Sequence, residues 1–488
     1  MFAAFFVAPI AVPAPRVAAT LPPYAGGVPV RMAVDSVPLG FDPDGNARWL
    51  VVTKFFDARG RQTLILANSD FDWSSRDGRV QWQTRMRYGQ PAAILTTPRE
   101  GPLTMRVHAN EPKLGTLVVR TDTRKWTQAR VVAQALGPHL VAVGWFPRVA
   151  GTVRVDRVDR DGRTRRVATL VGASSAFRDA SVAAGSTYRY VVDRNGRKTA
   201  ANAVVTPPEP IVTTVRDASG KGMWLFYTVN PVDDIYFRNL DPAQIADRAA
   251  RAGLRYVELR LTYGAYWEVT PEAKPVVDAI VDGLAKRGIA AIAWAVPRDT
   301  SFEDVAASVR AATYRTGAGT PVRGLAVDLE RGSDFMGDDP GGKDALWRYL
   351  ASVRAALGPA YLIVSNVEDP YFEHLDNASY PYAAVARSST VVQPMAYWRM
   401  FRKAAATPDD AAQAMRRSYD AVRRLVGWRV AVSMGGQTSA DGPGGAPTAL
   451  EIRSSLQASR KIGAIGECFF AWNGTLPDQW EALRRYRW

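Results

Sequence analysis

The feature that most constrains the fold is a regular alternation of short apolar runs with amphipathic segments from 223 to 488. Eight apolar runs are each followed by a segment of helical periodicity, and one such segment lies between a capping Asp241 and Gly253. Eight strand–helix units predict a (β/α)8 TIM barrel. A doubly wound open sheet is the alternative, but it would carry a glycine-rich nucleotide turn after its first strand. The turn "TVNPVDDIYF", 228–237, has no glycine.

The chain before the barrel has short alternating segments separated by turns, a pattern typical of all-β sandwiches. The stretch "FDPDGNARWLVVTKFFDARGRQ", 41–62, resembles bacterial immunoglobulin-like domains of the invasin type. That resemblance implies a first β-sandwich at 25–124.

A second β-sandwich is expected at 125–207. Trp145, "FRD" at 177–179 and "AGSTYRYVV" at 184–192 resemble a fibronectin type III module. In such a module Tyr188 would be the tyrosine-corner residue, whose hydroxyl bonds back to the main chain. A linker containing proline and glycine is then expected at 208–222.

Composition narrows the class of function. The formal net charge is +15, but the basic residues are dispersed and form no basic stripe with interleaved aromatics, so specific nucleic-acid binding is not expected. One cysteine, Cys468, excludes an internal disulfide framework, and three scattered histidines make a histidine-rich metal centre improbable. We therefore expect neither metal nor cofactor, and Cys468 is interpreted as a small core residue.

The first residues, 1–24, are apolar and then rich in alanine and proline. They resemble the hydrophobic region and cleavage zone of a signal peptide, although no positive region precedes them. We expect a secreted or cell-surface protein, with attachment through this segment as an alternative to its removal.

Active sites of TIM barrels lie at the carboxyl ends of the strands. In the stretch "GLAVDLE", Asp328 and Glu330 stand two apart at a strand end and therefore share one face. Polar and aromatic residues at the other strand ends are the candidate substrate-binding residues: Tyr227, Glu258, Arg260, Trp294, Asn366, Glu368, Gln393, Trp472 and Asn473.

This inventory is rich in carboxylates, amides and aromatic rings, which suit sugar binding. Glycoside hydrolysis commonly uses two carboxyl groups, and a carboxyl in a dry pocket beside another carboxylate can keep a proton near neutral pH. Glu330 is the general-acid candidate, and Asp328 would orient it or the substrate. The alternative is a strand end saturated by arginines such as Arg260 or Arg298, and Glu258 with Arg260 is interpreted as a buried ion pair shaping the pocket.

The runs "GLAVDLE", "QPMAYW" and "FFAWN" resemble the fourth, sixth and eighth strands of chitinase-type barrels, glycoside hydrolase family 18. The resemblance covers the barrel and implies Glu330 as acid/base, Asp328 as its neighbour, Tyr397 as partner of the sugar's acetamido group and Trp472 as the pocket floor.

The chain departs from the family pattern at three positions. Ala326 and Arg323 stand where the family has acidic residues, and Trp398 stands where it usually has aspartate. A D-x-E strand end also resembles the lysozyme-type barrels of family 25.

The expected function is hydrolysis of a polysaccharide or cell-wall glycan, including one with N-acetyl sugars, by carboxylate acid/base catalysis. The alternative is a non-catalytic structural or adhesive surface protein whose barrel binds glycan or protein.

Overall fold

The computed structural model describes residues 28–63, 71–83, 91–109, 114–226, 241–298, 300–331, 342–400, 406–440 and 442–488. Their contacts divide the chain into two compact units, with the boundary between Pro208 and Glu209. No described helix is long and apolar enough to cross a lipid bilayer.

The first unit consists of antiparallel sheets. Its described strands form the sheets β1-β2-β6-β5 with β3 beside β2, β4-β7-β8, β13-β10-β9, and β12-β11-β14-β15 with β16 beside β14. The strands are β1 Arg31–Phe41, β2 Ala47–Phe56, β3 Gln62–Thr63, β4 Phe71–Ser74, β5 Arg79–Gln83, β6 Ala92–Thr97, β7 Pro102–Ala109, β8 Thr116–Asp122, β9 Val131–Gly137, β10 Leu140–Val149, β11 Thr152–Val158, β12 Thr164–Val171, β13 Ser174–Asp179, β14 Thr187–Arg194, β15 Arg197–Ala200 and β16 Val204–Val205.

Two separate apolar clusters support these sheets. One contains Trp49, Phe55 and Trp126, and the other is built around Trp145 and Tyr190. In β2 the burial alternates residue by residue, as the sequence ARWLVVTKFF requires of a strand with one face on a core.

The main-chain bond expected of Tyr188 is present, since its hydroxyl accepts a 2.8 Å hydrogen bond from the Ala183 N–H. The assignment of these sheets to an immunoglobulin-like domain at 25–124 and a fibronectin type III module at 125–207 stays a prediction.

The second unit contains a sheet of parallel strands in sequential order. The order is β24-β23-β22-β21-β20-β18-β17-β26-β25, with the short antiparallel β19 beside β18. The strands are β17 Gly220–Leu225, β18 Tyr256–Tyr263, β19 Tyr266–Trp267, β20 Ala290–Val296, β21 Leu325–Leu329, β22 Ile363–Val367, β23 Val391–Pro394, β24 Ala431–Val432, β25 Met434–Gln437 and β26 Gly466–Phe470.

The seventh barrel strand closes this sheet into a ring. Its first half, β24, pairs with β23, and its second half, β25, pairs with β26. A further parallel bridge joins Met395 to Gly435. The eight strands therefore form the predicted TIM barrel, and the closure is incompatible with a doubly wound open sheet.

Helices follow the barrel strands, as the sequence periodicity predicts. Their N-caps include Asp241 and Ser301, whose side chains accept hydrogen bonds from main-chain N–H groups of the first turn. The helices are α1 Pro242–Arg251, α2 Lys274–Ala285, α3 Phe302–Ala312, α4 Gly342–Leu357, α5 Tyr382–Ser388, α6 Pro408–Val426, α7 Ala449–Lys461 and α8 Pro477–Arg485.

The segment expected to be a linker, 208–222, is instead part of the barrel unit from Glu209 onward. The Thr213 hydroxyl accepts a 2.7 Å hydrogen bond from the Leu362 N–H, and Asp217 forms an ion pair with Arg323. Ala218 is buried in the barrel core. The proline and glycine content suggested a linker, but Thr213 and Asp217 of this segment bond to the barrel, and β17 already begins at Gly220.

Lys221, in the first barrel strand, binds the carboxyl end of the last helix. Its side chain is 2% exposed, and its ammonium donates 2.6 Å hydrogen bonds to the carbonyl oxygens of Ala252 and Tyr486. A buried ammonium needs such acceptors, because burial without them disfavours its charge.

Candidate functional site

The inner face of the barrel is identified by an apolar cluster with members in the first six strands and in the eighth. Ala326 belongs to that cluster. Because side chains alternate along a strand, Asp328 and Glu330 lie on the same inner face, successively closer to the carboxyl end. Asp328 is 8% exposed, and Glu330 is partly exposed just after β21 ends.

Asp328 is a carboxyl group that holds a proton unusually well. Burial raises its pKa to about 7, the nearby carboxyl groups of Glu258 and Glu368 add to the shift, and Arg260 opposes it. Asp328 takes part in no ion pair within the described ranges. The expectation that Arg260 or Arg298 saturates this carboxylate is therefore wrong for Asp328.

Tyr397 lies beside both acidic residues of the fourth strand. Burial raises the pKa of its hydroxyl well above the ordinary value, and the charges of Asp328 and Glu330 contribute. The hydroxyl therefore stays protonated and can donate a hydrogen bond. Its ring packs against Trp224 at 6.3 Å and Phe470 at 5.8 Å between centroids.

The structure brings three of the candidate polar residues into one network inside the barrel. Asn366 donates a 3.2 Å hydrogen bond to Glu258 Oε2, and Gln393 donates a 2.9 Å bond to Asn366 Oδ1 and a 3.4 Å bond to Glu258 Oε1. All three are fully buried. Burial raises the pKa of Glu258 to about 7 against the lowering effect of the amides.

The interpretation of Glu258 and Arg260 as an ion pair is wrong. Arg260 forms a two-pronged pair with Glu268, with Nε to Oε2 at 2.9 Å and Nη2 to Oε1 at 2.8 Å. Glu268 follows β19, which turns back antiparallel to β18 and places Glu268 beside the arginine. The guanidinium also lies over the rings of Phe226 and Trp294, at 5.4 and 5.6 Å from their centroids.

Glu368 lies at the end of the fifth strand next to Glu330. Its Oε1 accepts a 2.7 Å hydrogen bond from the Arg331 N–H. Burial and the adjacent Glu373 carboxyl raise the pKa of Glu368 to about 9, and Glu330 contributes to the shift. The Arg331 side chain lies between the two glutamates: it pairs with Glu373, and its Nε is 3.7 Å from Glu368 Oε1, where its positive charge opposes the rise in pKa.

Two aromatic candidates have different surroundings. Trp294 is on the inner face and packs edge-on against Phe226 at 6.4 Å. Trp472 instead packs against Trp480 of α8, with centroids 4.7 Å apart. Asn473 follows Trp472 and is partly exposed. Tyr227 lies outside the described residues.

Two neighbouring residues of the eighth strand, Glu467 and Cys468, lie on opposite faces of the barrel wall. Glu467 accepts a 2.7 Å hydrogen bond from Ser455 of α7, so it lies between strand and helix and away from the mouth. Cys468 belongs to the inner cluster, as expected of a small core residue. Sequence reasoning missed Trp224, which lies within the apolar run of the first strand, as well as Glu268 and Glu373.

No family model matches this chain, and no curated protein matches it. The spore cortex-lytic enzyme SleL of Bacillus cereus is a similar solved structure, with 12% identity over 60% of this chain and 78% of that one and a TM-score of 0.39. The PgaB (BpsB) glycoside hydrolase domain of Bordetella bronchiseptica has 16% identity over 55% and 98%, with a TM-score of 0.37. A GH18 chitinase from Pseudoalteromonas aurantia has 12% identity over 54% and 97%, with a TM-score of 0.37.

Two of these neighbours are a glycoside hydrolase domain and a GH18 chitinase, but identities and TM-scores this low decide neither activity nor substrate. The barrel itself follows from the strand pairing of this chain. Within the described ranges, no group of three or more His, Cys, Asp or Glu side chains is arranged to hold a metal ion.

Proposed function

We propose that the barrel hydrolyses glycosidic bonds of a polysaccharide, with Glu330 as the general acid. The observation that carries the proposal is the pairing of a buried, proton-holding Asp328 with a partly exposed Glu330 on the inner face of one strand. A carboxyl at the mouth can reach a substrate oxygen, while a buried one beneath it controls the local charge.

The chemistry can be assigned residue by residue. Glu330 donates its proton to the glycosidic oxygen as the bond to the sugar carbon breaks; a water oxygen then bonds to that carbon, and a proton of the water returns to the Glu330 carboxylate. Tyr397, kept protonated, donates a hydrogen bond to a substrate carbonyl oxygen, and the acetamido group of an N-acetyl sugar supplies one. Asp328 carries a proton below a pH of about 7. In that state it adds no second negative charge beside Glu330 at the open end of the barrel.

The aromatic rings at this end of the barrel fit the same substrate class. Phe226 and Phe470 are partly exposed and stack with their centroids 6.1 Å apart, while the buried Trp224 supports Phe470 edge-on at 5.9 Å. The exposed faces of the two phenylalanines suit the apolar faces of sugar rings. We further propose that the protein acts outside the cell or at its surface, with the β-sheet unit as a spacer.

The test is release of reducing ends from chitin oligomers, peptidoglycan, and neutral and acidic polysaccharides. We expect activity on one substrate and a loss of about 10²-fold or more in Glu330→Gln, as for removal of a general acid. Glu481→Gln makes the same chemical change at a partly exposed residue of α8 and should leave activity unchanged.

Two outcomes would contradict the proposal. Activity that survives Glu330→Gln would remove Glu330 from its role. A wild type that binds one glycan of the panel and cleaves none would indicate the alternative, a non-catalytic surface protein.

A further inference from the structure

The main chain on both sides of Glu330 is held by side chains that come after the fifth strand. On the amino side, the Tyr380 hydroxyl donates a 2.7 Å hydrogen bond to the Leu329 carbonyl oxygen. On the carboxyl side, Glu368 Oε1 accepts a 2.7 Å bond from the Arg331 N–H. The two peptide groups flanking Glu330 are therefore each fixed by one side chain.

The holding side chains are themselves fixed. The Tyr382 hydroxyl donates a 3.0 Å hydrogen bond to the main-chain carbonyl oxygen of Glu368, and the rings of Tyr380 and Tyr382 pack with centroids 4.5 Å apart. Both tyrosines are fully buried. A rigid, packed tyrosine pair thus connects the ends of the fourth and fifth strands.

We propose that Glu368, Tyr380 and Tyr382 form a clamp that positions Glu330, and that Glu368 is a positioning residue rather than a substrate ligand. The inference rests on the proposed function of Glu330. The main chain becomes irregular where a strand ends. Glu330 lies one residue beyond β21, so its orientation depends on hydrogen bonds that hold the adjacent peptide groups. A displacement of about 1 Å at a reacting group can cost about 10²-fold in rate.

The protonation of Glu368 suits this role. Because its pKa is raised to about 9, Glu368 brings little negative charge next to Glu330 at neutral pH while still offering an oxygen to the Arg331 N–H. A glutamine at 368 would offer the same acceptor, whereas leucine would not. This difference provides a matched pair of variants.

The experiment compares Glu368→Leu, Glu368→Gln and Tyr380→Phe on the substrate found for the wild type. We expect Glu368→Leu and Tyr380→Phe to lower kcat by about 10-fold or more with KM little changed, since orientation and not binding is lost. Glu368→Gln should retain kcat near the wild-type value at pH 7. A merely structural role would lower Tm in Glu368→Leu and leave kcat of the folded protein intact.

A second readout does not depend on activity. In crystal structures, the Glu330 carboxyl should be ordered in the wild type. It should be displaced or disordered in both Tyr380→Phe and Glu368→Leu. Equal kcat in Glu368→Leu and Glu368→Gln, or an unmoved Glu330 in both variants, would overturn the clamp. If the wild type cleaves nothing, the proposed function fails, and the crystal structures still decide the clamp.

Discussion

Asn366 donates its amide N–H to Glu258 Oε2 at 3.2 Å, so the side chain that the fifth strand contributes to the barrel interior satisfies a carboxyl of the second. The donor in this hydrogen bond is a neutral amide and not a cation. It leaves Glu258 without a compensating positive charge in the described network, and the carboxyl responds by holding its proton to a pH of about 7.

Glu258→Gln should therefore change how stability depends on pH. A carboxyl whose pKa is about 7 when folded, against an ordinary value of 4.5, binds more protons in the folded state between these values. The folded state loses that advantage as pH rises. We expect the free energy of unfolding of Glu258→Gln, relative to wild type, to increase by up to about 3 kcal/mol from pH 4.5 to 7.

Urea denaturation at several pH values measures this difference. Glu481→Gln is the control, because the pKa of partly exposed Glu481 is lowered to about 2 by its bonds to Arg484 and Arg485. Its difference from wild type should be flat between pH 4.5 and 7. A flat difference for Glu258→Gln as well would mean that Glu258 is ionised in the folded protein.

The raised pKa of Asp328 predicts a feature of the pH–rate profile. As pH passes about 7, Asp328 ionises and adds a negative charge beneath Glu330 and beside the Tyr397 donor. We expect kcat/KM of the wild type to change with pH through this region. Asp328→Asn, which is permanently neutral, should lack this change, and an identical profile in the variant would assign it to another group.

The Arg260–Glu268 pair gives a stability prediction. Both residues are at most 6% exposed, and Glu268→Gln removes the buried carboxylate that the guanidinium binds through two nitrogens. We expect a loss of about 3–5 kcal/mol in the free energy of unfolding. The double variant Arg260→Met with Glu268→Leu should cost less than the sum of the single changes, measured as a double-mutant cycle. Simple additivity would argue that the pair contributes no coupling.

Sequence periodicity was sufficient to find the barrel and the placement of Asp328 and Glu330, because both depend on local alternation. It could not find the partner of Arg260, since Glu268 reaches it only through the hairpin of β18 and β19. It also could not find Tyr380, which bonds to Leu329 across 51 residues. It also could not find Trp224, because this residue lies within the apolar run of the first strand, where a tryptophan reads as an ordinary core residue.

The residues from Glu209 to Gly222 have a practical consequence for dissecting the protein. A fragment begun at Met223, where the sequence suggests that the barrel starts, would lack Lys221 and leave the carbonyl oxygens of Ala252 and Tyr486 without their donor. It would also lose Ala218 from the barrel core. A fragment that is meant to fold as the isolated barrel should therefore begin at or before Glu209, because the residues from Glu209 onward belong to the same compact unit as the barrel.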